Sequence, residues 1–280
     1  MARGPLRAGD LHMDKNTIAA LAADLTDSSP LNFVSPGIAL SPACAGMKLF
    51  EPPVFGFGCP DDELFTLFKS PGIIGGHFLS PREWLPCAKT VISFFLPYTS
   101  QIKSANSRDC LWPADEWLHG RFEGQLFAIE LSKRIEALLS SAGYECLVPA
   151  LDSRLKTGSG ESRFSSNWSE RHAAFVCGLG TFGLSKGLIT EKGVCGRFGS
   201  VLTAFDLPKD TRRYKDIYEY CTMCGACAPQ CPAGSISLAD GKDSASCSAF
   251  LNKTTDRHRP RYGCGKCQVS VPCESGIPKN

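Results

Sequence analysis

Apolar and polar residues alternate along this chain with a period that changes several times, and each change marks an element. DKNTIAALAADL (14–25) reads as a short helix. Residues 26 to 82 lose that order. Their SPGIAL, EPPVFGFGCP and SPGIIGG stretches predict a loop-heavy wrap over a core. KTVISFFLPY (89–98) is a short apolar, β-branched run ended by proline, which predicts a buried strand. FEGQLFAIELSKRIEALLSSAGY (122–144) has apolar residues at 126, 127, 131, 135, 138 and 139, a helical spacing with Gly143 as its stop. ECLVPAL follows as another strand, so the order is strand, helix, strand.

KTGSGESRFSSN (156–167) is polar and rich in Ser and Gly, a candidate mobile loop over a site. ERHAAFVCGLGTFGLSKGLIT (170–190) begins as a helix and passes through a glycine-rich turn into a strand. CGRFGSVLTAFDLP (195–208) is a further strand, and PKDTRRYKDIYEY (208–220) reads as a linker. Residues 1–208 are therefore expected to form one α/β domain for cofactor and substrate, and residues 209–280 a small cysteine-rich domain.

Composition narrows the class. Hydrophobic residues make up 43% and charged residues 21%, ordinary for a globular protein. A net charge of +2 gives no long-range reason to expect a nucleic-acid partner. No apolar run approaches the ~18 residues of a membrane span. The opening MARGPLRAGDLHMDKNT lacks a secretory h-region, so residues 1–13 read as a leader or disordered tail, with Met13 a candidate natural start. A cytoplasmic location is the resulting expectation.

Of the fifteen cysteines, eight fall in the last 60 residues, and without an export signal this clustering argues for metal rather than disulfides. Cys221-x2-Cys224-x2-Cys227-x3-Cys231-Pro is the bacterial ferredoxin arrangement. In it the first three cysteines bind one [4Fe–4S] cluster and the fourth reaches a second. More ligands are then required downstream, and Cys247, Cys264, Cys267 and Cys273 supply them. The partition assigns Cys221, Cys224, Cys227 and Cys273 to cluster one, and Cys231, Cys247, Cys264 and Cys267 to cluster two. Two structural zinc sites are the alternative, although zinc ribbons do not usually add a third cysteine at x2 and a fourth at x3 before proline.

CGLGTFG fits G-x-G-x-x-G at Gly178, Gly180 and Gly183. A dinucleotide site needs a strand before it, a helix after it and an acid about 20 residues on. Here a helix precedes, an extended segment follows, and neither Glu191 nor Asp206 sits at the required distance. The Rossmann reading is set aside.

ERHAAFVCGLGTFGLSKGLIT, FGSVLTAFDLP, the eight-cysteine tail and the isolated Cys247 in CSAFL together resemble the epoxyqueuosine reductase family, which shares its core with reductive dehalogenases. The resemblance covers roughly residues 83 to 278. It implies a nitroreductase-like α/β domain holding base-off cobalamin, followed by a ferredoxin-like domain whose two [4Fe–4S] clusters reduce the cobalt that attacks the substrate. It also implies that the Gly178–Gly183 turn (Gly178, Gly180, Thr181, Phe182, Gly183) and the strand from Phe198 through Gly199 and Ser200 to Thr203 line the corrin pocket. Three departures stand out. The Asp-Ser/Thr-Ala-Pro stretch before the Glu-Arg pair is replaced by RFSSNWSERH, the helical C-terminal extension is absent, and the last ligand spacing is x5 rather than x3. These predict a short relative that does not act on tRNA.

Glu170 and His172 are the candidate catalytic residues. Each has a structural alternative: Glu170 in an ion pair with Arg171, His172 as a buried hydrogen-bonded imidazole. Asp152 and Glu161 are further candidate acids. Cys177 is a reactive thiol or a small buried hydrophobe. Trp168 and Phe182 pack on a macrocycle or belong to the core, and Lys186 contacts a phosphate or is simply solvated. The expected function is iron–sulfur redox catalysis on a small molecule, fed by an external ferredoxin or flavodoxin. The alternatives are an activator that reduces a partner's corrinoid, and a non-catalytic iron–sulfur module.

Overall fold

The computed structural model describes residues 13–158 and 164–279. The expected leader (apart from Met13), Glu161 and the tip of the Ser/Gly-rich loop lie outside the described residues. The N-terminal part runs α1 (Lys15–Ser28), β1 (Val54–Gly58), α2 (Glu63–Leu67), α3 (Pro81–Trp84), β2 (Thr90–Pro97), α4 (Ser100–Asn106) and α5 (Asp115–Ser141). It continues through β3 (Cys146–Leu147), α6 (Glu170–Val176), β4 (Gly180–Phe182), β5 (Leu188–Thr190) and β6 (Gly196–Thr203). The cysteine-rich part carries β7 (Ile236–Ser237), β8 (Gly241–Lys242) and α7 (Ser244–His258).

The main sheet is antiparallel throughout, in the order β1-β2-β6-β3. β2 is buried at every position, which is why its sequence shows no apolar–polar alternation. On one face Ile92, Phe94 and Leu96 join a core with α1 and α5. On the other, Val91 joins Phe65, Trp84, Trp168 and α6 in a second core. The mixed α/β class read from the sequence is the one observed.

α5 begins at Asp115, seven residues before the expected start at 122. Gly120 and Gly124 disguise its first turns, and packing explains both. A Cβ at Gly120 would stand 2.9 Å from the Tyr98 ring, and one at Gly124 2.7 Å from Phe50. The expected stop holds: Gly143 has φ 89° just beyond the helix. β1 was expected to be loop. Its glycines let the strand pass under Cys177, whose carbonyl oxygen would be 2.4 Å from a Cβ at Gly56. ECLVPAL gives only the two residues of β3 before a 3-10 turn over Pro149–Leu151.

That short β3 has a consequence. It pairs only with Leu202 and Thr203 of β6, so among the described residues β6 has no strand partner along this edge from Gly196 to Val201. An open flank is left between α5 on one face of the sheet and α6 on the other.

Candidate cluster sites and an adjoining cavity

The segment entering the cysteine-rich part is docked on the glycine turn. Gly180 N–H donates to the Tyr214 hydroxyl at 3.3 Å, Phe182 N–H to the Ile217 carbonyl at 2.8 Å, and Tyr220 N–H to Thr181 Oγ1 at 2.8 Å. A Cβ on Gly180 would overlap the Ile189 carbonyl oxygen at 1.9 Å, and one on Gly183 would lie 3.8 Å from Cys221 Sγ. Gly180 thus serves close backbone contact in the β4–β5 hairpin, and Gly183 admits the Ile189 side chain, 3.1 Å from where its Cβ would stand. Gly178, Gly180, Thr181, Phe182 and Gly183 are not among the residues that line the cavity described below.

Burial raises the Cys273 thiol to about 12, and the charges of Cys221, Cys227 and Cys224 push the same way. Burial likewise raises Cys264 to about 12, reinforced by Cys267, Cys231 and Cys247. The cysteines that act on each of these two thiols belong to the groups drawn for them from spacing. The two groups adjoin, since after burial Cys267 is the leading influence that raises Cys227 to about 11. Among the described residues no three His, Cys, Asp or Glu side chains converge closely enough for a single metal ion.

All four cysteines of the second set line one cavity of about 190 Å³, together with Lys242, Phe250 and Trp117. The sequence forms it locally. Asp243 caps α7 by accepting from Ala245 N–H and Ser246 N–H (3.0 and 2.9 Å), which fixes Cys247 in the first turn. Cys231 Sγ accepts from Ser235 N–H at 3.4 Å and lies 3.1 Å from its hydroxyl, and these contacts hold its thiol low although burial alone would raise it. Buried Lys266 donates to the Asn106 carbonyl at 2.7 Å, and Asn106 Nδ2 to the Cys264 carbonyl at 3.0 Å. Gly265, at φ 66°, passes beneath Trp117, whose ring would be 1.8 Å from a Cβ. Gly265→Ala is therefore expected to destabilise the fold by about 3 kcal/mol, the upper part of the range for overpacking, read as a lower urea midpoint with unchanged slope.

A second cavity, of about 450 Å³, occupies the open flank of β6. α5 contributes Arg121, Gln125 and Ala128, the free edge of β6 contributes Gly196 to Gly199, and α6 contributes Glu170 and Arg171. Arg121, Gly196, Arg197 and Gln268 line both cavities, so the cluster-two site and the flank cavity share a wall.

Both oxygens of Glu170 are inaccessible and without a hydrogen-bond partner. The adjacent Trp168 indole donates instead to Ser200 Oγ at 3.0 Å. Burial raises the Glu170 carboxyl to about 7, only partly offset by Ser200 and Trp168. The anticipated ion pair with Arg171 does not form; that guanidinium bonds the Lys186 carbonyl. His172 is outside the cavity lining. It lies between Phe68 and Phe182 (ring centroids 4.8 and 4.9 Å), with Nδ1 2.8 Å from Ser169 Oγ, and burial lowers it to about 4. It stays neutral near pH 7.

Of the remaining candidates, Phe198, Gly199 and Trp168 line the cavity, whereas Ser200 bonds Trp168 behind it. Trp168 is also core, stacked on Phe65 and Phe78. Phe182 packs on Phe175 and His172. Asp152 is held at about 2 by two-pronged bonds from Arg154, away from the cavity. Cys177 is fully buried against Val91, and burial drives its thiol upward. Lys186 is exposed, with Nζ 3.5 Å from Ser244 Oγ. Sequence reasoning missed Arg121, Arg197 and Gln268. The signal available was an arginine inside the apolar strand GRFGSVLT.

A 4Fe-4S binding domain family matches residues 214–237. Epoxyqueuosine reductase from Bacillus cereus is 27% identical over 213 residues, which is 71% of this chain and 51% of that protein. The chain thus spans about half the length of this curated relative. A crystal structure of epoxyqueuosine reductase superposes with TM-score 0.53 and 19% identity, covering 81% of this chain and 63% of the other. A second, with a tRNA-Tyr epoxyqueuosine-modified stem loop, gives 0.52 and 20%, covering 82% and 63%. A catabolic reductive dehalogenase in complex with 3-bromo-4-hydroxybenzoic acid gives 0.50 and 15%, covering 68% and 26%. The chain is thus similar in sequence and in fold to epoxyqueuosine reductases, and residues 214–237 match a 4Fe-4S binding domain.

Proposed function

We propose that this chain is a two-cluster reductase in which Cys221, Cys224, Cys227 and Cys273 hold one [4Fe–4S] cluster and Cys231, Cys247, Cys264 and Cys267 the other. Residues 209–279 then supply electrons, and residues 13–208 hold the acceptor. The observation that carries this reading is the wall shared by the cluster-two cavity and the flank cavity. A ferredoxin- or flavodoxin-type donor delivers electrons at the other end, where Met223 and Cys224 are exposed.

The acceptor proposed for the flank cavity is a corrinoid, whose amide-rich rim suits the residues present. Guanidiniums, the Gln125 and Gln268 amides and the unpaired edge of β6 all offer hydrogen bonds, and the open side leaves room for a group wider than the enclosed volume. A bound corrinoid would supply a low-valent cobalt for reducing a small substrate. The chain's own part is to hold the group, exclude water along the Trp168 and Phe198 wall, and keep a proton on Glu170 for the reduced product. tRNA is the ligand of the relative solved with a stem loop; here the proposed substrate is a small molecule. No helix among the described residues is long and apolar enough to cross a membrane.

The test is EPR on anaerobically reconstituted chain mixed with cob(II)alamin, with metals counted on the same sample. Two clusters at four irons each, one cobalt per chain and a signal without axial nitrogen splitting are expected. The same iron with only free, base-on cobalamin would overturn the corrinoid reading.

A further inference from the structure

The flank cavity is more cationic than electron transfer requires. Arg121, Arg171 and Arg197 all line it. Among the described residues none of the three takes part in an ion pair; the paired arginines are Arg82, Arg154, Arg212, Arg259 and Arg261. Each makes one neutral side-chain bond: Arg121 to the Tyr262 hydroxyl at 2.9 Å, Arg171 to the Lys186 carbonyl, Arg197 to Gln125 Oε1. A guanidinium has five donors, so most of this capacity is unspent. Burial and the neighbouring Arg121 both lower the Arg197 pKa, to about 10, so holding these two charges together is unfavourable without an anion.

A cluster in the second cavity would compensate Arg121 and Arg197 from one side only, and Arg171 does not line that cavity. Glu170, the one acid lining the flank cavity among the described residues, pairs with none of the described arginines. The lining also includes the apolar side chains of Ala128, Ile129, Val148 and Leu188. A volume of about 450 Å³ is that of a site for one drug-sized ligand.

We propose that Arg197 and Arg121, with Arg171 at the cavity rim, form a seat for a carboxylate or phosphate group attached to an apolar body. The seat assigns a chemistry to the acceptor side of the reductase reading and rests on that reading only for its biological use. Two sources carry such a group: the substrate, or the nucleotide phosphate of the corrinoid itself.

The experiment is calorimetric titration of the cluster-loaded chain with benzoate and with inorganic phosphate at fixed chloride, then repeated after loading with cobalamin or with cobinamide, which lacks the nucleotide phosphate. Saturable binding that weakens about tenfold in Arg197→Gln and in Arg121→Gln, and falls with ionic strength, is expected. Arg171→Gln, at a solvent-exposed position, provides a variant less dependent on folding. Binding that survives both corrinoids assigns the seat to substrate. Binding displaced by cobalamin and not by cobinamide assigns it to the nucleotide phosphate. No saturable binding, or equal affinity in all three variants, overturns the seat. Saturable binding without base-off cobalt would leave the seat standing and remove the corrinoid reading alone.

Discussion

Cys264→Ala is expected to remove about half the iron and abolish electron delivery to the flank cavity while the first cluster stays reducible. Cys264 lines the cluster-two cavity with Cys231, Cys247 and Cys267, and its backbone is pinned by Asn106. Alanine leaves three thiolates for a four-cornered cluster, and no other cysteine lines that cavity to replace it. Cys195→Ala is the control. Cys195 lies near both sets, donating to the Gln268 carbonyl at 3.0 Å, yet belongs to neither. It should keep its full iron. Iron analysis and EPR of the reduced variants separate the two outcomes. Unchanged iron in Cys264→Ala would remove that cysteine from the ligand set.

Glu170→Gln is expected to slow the reductive half-reaction by about 10²–10⁴, the usual worth of a positioned acid, and to abolish a pH dependence. The sign follows from burial, which raises the carboxyl from its ordinary 4.5 to about 7. Product protonation needs the neutral acid, so the wild-type rate should fall as pH rises through about 7. The stability contribution has the same sense. It is fully present below pH 4.5 and lost as pH climbs to about 7, because ionising a partnerless carboxyl inside the fold is unfavourable. The difference corresponds to about 3 kcal/mol. Glu170→Gln should thus melt higher than wild type at pH 8 and match it at pH 4. A role confined to folding would reproduce the melting shift and leave the rate profile intact.

What could be read from the sequence was what covalent spacing controls. Three cysteines within seven residues must share one locality wherever the chain goes, and a fourth before proline calls for a second set downstream. The strands of KTVISFFLPY and GRFGSVLT were legible because burial on both faces forces continuous apolar runs. α7 was not recognised. SASCSAFLNKTTDRH buries only Phe250 and Thr254 and is held by the Asp243 cap and by Trp112 stacked on Phe250 at 5.7 Å, so it has no apolar stripe to display.

The glycine turn was recognised as special, and its task was misjudged. Gly180 and Gly183 admit the backbone and the side chain of Ile189, a neighbour that only the folded chain reveals. The cavity was hidden for a related reason. It exists because β3 stops after two residues, and a strand's failure to continue leaves little mark in a pattern of apolar positions.

The central claim is that the second cysteine set, and not the first, adjoins the acceptor. Relaxation of the cob(II)alamin EPR signal in the reduced chain tests it most directly, since a nearby paramagnetic cluster speeds that relaxation. Enhanced relaxation in wild type and in Cys224→Ala, lost in Cys264→Ala, is the predicted result. Enhancement that disappears with Cys224 and survives the loss of Cys264 would contradict it.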